Sequence, residues 1–139
     1  MNDVQPGHRV LLIEDDETVA GALQCMLSAL GYAIAGTTTR LDEVMGILDR
    51  EPIDAAVLDI DLHGRASYPI ADELATRGIP FIFSTGYGAQ CLPEGYERFP
   101  LLTKPFRRSV LGGALANLLS KSTSATQTLS LQGGEGHPS

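Results

Sequence analysis

Four short apolar runs in this chain end in residues able to do chemistry. Arg9-Val10-Leu11-Leu12-Ile13 stops at Glu14-Asp15-Asp16, and Ala55-Ala56-Val57-Leu58 stops at Asp59. Pro80-Phe81-Ile82-Phe83 runs into Ser84-Thr85, and Leu101-Leu102 leads to Lys104-Pro105-Phe106. Brought to one place, Glu14, Asp15 and Asp59 would repel one another, and a hard divalent cation with oxygen ligands would relieve that repulsion. Mg²⁺ suits such a site: it takes a few carboxylates, keeps waters and accepts phosphate oxygens. A carboxylate is also a nucleophile toward phosphorus. The Thr85 hydroxyl and the Lys104 ammonium would then bind oxygens of a transferred group, a division of labour based on positioning and electrostatics.

The elements between these residues are of the kind that would align them. Val19, Leu23, Met26, Leu27 and Leu30 recur at helical spacing after the first apolar run, and Gly31 is a natural stop. Tyr32-Ala33-Ile34-Ala35 reads as a second strand. Leu41, Val44, Met45 and Leu48 mark a second helix, ended before Pro52. A loop surrounds Gly64, and a short third helix is predicted from Pro69 to Arg77, with proline at its first turn. Gly86 to Pro100 is rich in Gly and Pro, so any helix there must be short. Val110, Leu111, Ala114, Leu115 and Leu118 form a last helix. Strands alternating with helices predict an α/β fold with a parallel sheet, and unbroken apolar runs predict strands buried on both faces. In such sheets ligands bind outside the carboxyl ends of the strands, which is where the acids, hydroxyls and lysine fall.

The 139 residues suffice for one domain with one core. We read residues 1–8 as an N-terminal extension and 9–120 as the domain. Residues 121–139, rich in Ser, Thr and Gly, read as a mobile tail. A net charge of −7 argues against nucleic acid and anionic membrane as partners. The absence of an apolar N-terminal core or a run long enough to span a bilayer predicts a soluble cytoplasmic protein. Cys25 and Cys91 lack metal-ligand spacing, and Cys25 reads as a buried free thiol in the first helix.

The four motifs, in this order, resemble the receiver domain of two-component response regulators over about Arg9 to Ser120. The resemblance implies a flavodoxin-like (βα)5 fold, a doubly wound parallel five-stranded sheet of order 2-1-3-4-5 with a shortened or irregular fourth helix. It makes Asp59 the phosphoacceptor. It makes Glu14 and Asp15 the acidic pair, with Asp15 the direct Mg²⁺ ligand. Asp61 is implied to reach the metal through its backbone carbonyl, Thr85 to be the switch hydroxyl and Lys104 the phosphoryl-binding lysine. The implied partner is a sensor histidine kinase or a histidine phosphotransferase, with the chain a monomer or weak dimer. Pro80-Phe81-Ile82-Phe83-Ser84-Thr85-Gly86-Tyr87-Gly88 further resembles a Phe-Ala-Thr-Gly-x-Tyr subgroup of alphaproteobacteria, often stand-alone and paired with kinases of the HWE type. Ser84 replaces its alanine.

Two features depart from the family pattern. Leu101 stands where an aromatic residue usually precedes the lysine by three positions. Thr85 and Lys104 are only 19 residues apart (104 minus 85). The usual coupling of threonine to aromatic therefore does not carry over, and Tyr87, or ordering of Gly86 to Pro100, is the expected reporter of phosphorylation.

Plainer readings stand beside these. Glu14-Asp15-Asp16 would favour a helix N-terminus whatever else it did. Asp59 could be a solvated strand end, Thr85 could close a turn with Gly86, and Lys104 could be an ordinary exposed lysine. Asp61 is as well explained by a solvated loop acid. His8, His63 and His137 are too scattered for a metal site. Two other functions compete: a haloacid-dehalogenase-like phosphatase, suggested by Asp59-Ile60-Asp61, and a pseudo-receiver that binds partners without phosphorylation. The phosphatase reading lacks metal-binding acids placed after the lysine.

Overall fold

A computed structural model describes residues 8–62, 65–86 and 92–132 of the chain. Five parallel strands form the sheet: β1 (Arg9–Ile13), β2 (Ala33–Thr38), β3 (Ala55–Asp59), β6 (Phe81–Thr85) and β7 (Leu101–Thr103). Their order is β2-β1-β3-β6-β7, every pairing parallel. Two short strands, β4 (Asp61–Leu62) and β5 (Arg65–Ala66), pair antiparallel outside the sheet. Counting only the sheet strands, this is the expected 2-1-3-4-5 order.

The apolar runs become central strands because both faces are covered. Val10, Leu11, Leu12 and Ile13 are completely buried, as are Ala55, Ala56 and Leu58. Their side chains alternate between two cores. Val10, Leu12, Ala55, Val57 and Ile82 face α1 (Glu17–Ala29) and α4 (Arg108–Gln132), packing with Leu23, Leu27, Leu111 and Leu115. Leu11, Ile13, Ala56, Leu58, Phe81 and Phe83 face α2 (Leu41–Arg50) and α3 (Tyr68–Thr76), packing with Val44, Ile70 and Leu74.

The helix boundaries follow local chemistry. Asp16 caps α1, its carboxylate accepting from the Thr18 and Val19 amides at 2.9 and 3.1 Å. Gly31, at φ 96°, turns the chain out of α1 into β2. Pro69 sits in the first turn of α3. Leu111 and Leu115, one turn apart, anchor α4 against the sheet, and a Cβ at Gly112 would come within 2.8 Å of Leu30 Cδ2.

One expectation differs from what is observed. Cys25 is exposed. It lies two positions from both Leu23 and Leu27, about 200° around the helix from each, so it falls opposite the buried stripe. Asp61–Leu62 and Arg65–Ala66 pair antiparallel, and Gly64, where a loop is expected, lies outside the described residues. The α4 backbone is helical to Gln132. No Gly or Pro interrupts residues 114–132, and extending a formed helix takes one hydrogen bond per residue. Between β6 and β7, the described residues 92–100 form turns and no helix. Tyr96 N–H donates to the Pro93 carbonyl and Phe99 N–H to that of Tyr96. Among the described residues no helix is long and apolar enough to cross a membrane.

Candidate phosphoryl-acceptor site

Register brings the strand-end residues together. Ile13 pairs with Leu58, so Glu14 lies beside Asp59 at the carboxyl edge, and Asp59 pairs in turn with Ser84 on β6. Glu14 and Asp59 are buried, and one carboxylate oxygen from each of Glu14, Asp15 and Asp59 lies within 4.8 Å of the others. The Lys104 ammonium donates to Glu14 Oε1 at 3.0 Å and to Asp59 Oδ2 at 3.1 Å. The backbone holds the acids as well. Asp16 N–H donates to Glu14 Oε2 at 3.1 Å and Asp61 N–H to Asp59 Oδ1 at 3.2 Å.

This crowding sets the electrostatics. Burial, and then the adjacent Glu14 carboxylate, push Asp59 up to about 7 against the pull of Lys104. Burial draws Lys104 down, but its bonds to Glu14 and Asp59 outweigh this and hold it above its usual value. Two buried acids and a third beside them, with one ammonium between, leave an excess of negative charge on hard oxygen donors. That donor set fits a divalent cation of the Mg²⁺ type. The same arrangement offers a carboxylate nucleophile next to a fixed positive charge.

Glu14, Asp15, Asp59 and Lys104 thus meet as the spacing predicts. Thr85 is buried at the end of β6, and its carbonyl accepts the Lys104 N–H at 2.7 Å. Asp61 enters through its backbone amide, its side chain being exposed. Leu101 is half-buried and packs into the α2–α3 core. Tyr87 and His63 lie outside the described residues.

Sequence reading did not find the tie between Lys104 and Glu14. It also missed an aromatic cluster joining the β6–β7 loop to α3. Tyr96 packs against Tyr68 with ring centroids 4.5 Å apart and planes tilted by 33°, and Phe99 against Phe81 at 4.5 Å and 32°. The Tyr96 hydroxyl donates to Asp72 Oδ1 at 2.7 Å. No periodicity in the Gly- and Pro-rich segment announces these contacts.

The parallel sheet carries its acids and its lysine at one edge. The chain belongs to the response regulator receiver domain family, which residues 10–116 match. It is similar to SdrG of Sphingomonas melonis Fr1, 33% identical with a TM-score of 0.73, over 84% of this chain and 99% of that one. SdrG has also been solved in a BeF3-activated conformation. The receiver domain of PhyR from Erythrobacter litoralis is 27% identical with a TM-score of 0.72, over 82% of this chain and 91% of that one. The sensor protein TorS of Escherichia coli is 28% identical over 129 residues, 88% of this chain and 14% of TorS. The chain spans well under half the length of the curated relatives it matches.

Proposed function

We propose that this receiver accepts a phosphoryl group on Asp59 from the phosphohistidine of a sensor kinase or phosphotransferase. The observation that carries this reading is the meeting of Lys104 with both Asp59 and Glu14 beside Asp15. An Asp59 carboxylate oxygen attacks phosphorus, the P–N bond breaks, and the imidazole nitrogen keeps the electron pair. Lys104 neutralises an oxygen of the transferred group, and Thr85 hydrogen-bonds another. Glu14, Asp15 and Asp59 are the residues that would hold Mg²⁺, with the Asp61 carbonyl a further donor. When bound, the cation screens charge on the phosphoryl oxygens. The only chemistry we assign is this self-phosphorylation and the slow attack of water on the aspartyl phosphate, which releases inorganic phosphate and restores the Asp59 carboxylate, without turnover of phosphomonoesters.

The resemblance of Phe83-Ser84-Thr85-Gly86-Tyr87-Gly88 to the alphaproteobacterial motif, carried by Phe83, Thr85 and Gly86, together with the likeness to SdrG and PhyR, supports placement in that subgroup. An HWE-type kinase is then the partner to test. The BeF3-activated form of SdrG supports a phosphorylation-driven change here as well. Intact-mass spectrometry after incubation with acetyl phosphate and Mg²⁺ tests the reading. One added phosphoryl group, lost in Asp59→Asn and without Mg²⁺, is expected. A wild-type chain that takes no label and binds no beryllofluoride overturns it.

A further inference from the structure

Ser84 is completely buried, and its hydroxyl has no hydrogen-bond partner within the described protein. Burying a hydroxyl unpaired is unfavourable, so such a group calls for a use. Its place in the sheet shows what it lies beneath. On β6, Phe81 and Phe83 enter the α2–α3 core while Ile82 enters the α1–α4 core, so by alternation Ser84 shares the face of Ile82. Leu12, Val57 and Leu102 are on that same face. Glu14, Asp59 and Lys104, each two residues further along, therefore lie there too.

Lys104 follows the end of β7, yet its ammonium reaches Asp59 on β3 and Glu14 beyond β1. Because β6 lies between β7 and β3, the lysine side chain must cross β6. Thr85 belongs to the opposite face and Gly86 has no side chain. Ser84, paired with Asp59 on one side and Leu102 on the other, is thus the last side chain β6 presents under that crossing.

We propose that Ser84 is a positioning residue for Lys104, its hydroxyl accepting a hydrogen bond from the ammonium when the ammonium turns from Glu14 to the phosphoryl group on Asp59. An ammonium has three donors, and in the unphosphorylated protein two of them meet Glu14 and Asp59. When Glu14 is committed to a cation, the donor it held needs another acceptor, and Ser84 Oγ is buried and unpaired on that face among the described residues. This inference rests on the phosphoacceptor reading above.

The test compares the wild-type chain with Ser84→Ala and Ser84→Cys; cysteine keeps the shape with a somewhat larger atom but is a poor acceptor. Phosphorylation by acetyl phosphate with Mg²⁺ is followed by intact mass. The ammonium signal of Lys104, one of two lysines with Lys121, is followed by ¹⁵N NMR in the beryllofluoride complex. Both variants should phosphorylate about tenfold more slowly, the scale of one hydrogen bond to a charged group. Both should lose the slowly exchanging Lys104 signal that the wild type shows, with Mg²⁺ affinity unchanged. If Ser84→Cys matches the wild type in rate and signal, the residue only fills space and the proposal falls. If Ser84→Ala does not fold, the cysteine variant decides alone. A wild type that takes no label overturns the phosphoacceptor reading itself, and this inference with it.

Discussion

Lys104 and Glu14 stand 90 positions apart in sequence and meet at 3.0 Å across the carboxyl edge of the sheet. The contact makes the lysine a structural counter-ion before any phosphoryl group arrives. The Glu14 side chain is 1% exposed and is paired with this ammonium.

Removing the ammonium should therefore be felt first as instability. Lys104→Met is expected to lower the stability of the Mg²⁺-free protein by about 1–3 kcal/mol, below the roughly 3–5 kcal/mol for breaking a fully buried pair, since Lys104 is partly open to water. Mg²⁺ should restore most of the loss, because the cation takes over the neutralisation. Urea unfolding with and without Mg²⁺ measures both effects.

Asp59 carries a pH-dependent cost in the metal-free protein. Between its ordinary 3.8 and about 7 the folded protein holds a proton that the unfolded chain has released. The stabilisation from this group is thus complete below the lower value, declines as pH rises through the window, and is lost above the upper one. Asp59→Asn lacks the charge, so without Mg²⁺ it should be more stable than wild type at pH 8, on the order of 1–3 kcal/mol after allowing for solvent access. The difference should shrink toward pH 4, as thermal unfolding across that range will show.

Glu14 and Asp15 should differ in kind from Asp16. Glu14→Gln or Asp15→Asn is expected to weaken Mg²⁺ binding by about 10–100-fold in a calorimetric titration, with Asp15→Asn the more severe.

Asp16→Ala should leave that affinity within about twofold. It removes the α1 cap and so should cost about 1 kcal/mol in urea unfolding. Equal losses of Mg²⁺ affinity in all three variants would contradict the separation of roles.

Much of the molecule was legible because its signals are local. The run Val10 to Ile13 can be buried on both faces only as a central strand, and Leu23 with Leu27 can be buried only on one stripe of a helix. A polar residue that ends such a run stands at the carboxyl edge, so Glu14, Asp59 and Lys104 could be assigned to one place from order alone. Cys25 lies two positions off that stripe, and this helical phase, not its residue type, sets its exposure.

The sequence by itself determined the alternation of strands and helices, the acids and lysine at their ends, and hence the class of chemistry. Only the tertiary structure decided that Lys104 crosses β6 to hold Glu14 as well as Asp59, that Ser84 lies unpaired beneath it, and that Tyr96 and Phe99 fasten the loop before β7. The reason is physical. Hydrophobic periodicity reports which face of an element is buried, whereas these contacts depend on strand order and register. Those are set by the packing of all elements at once, and no local pattern records them.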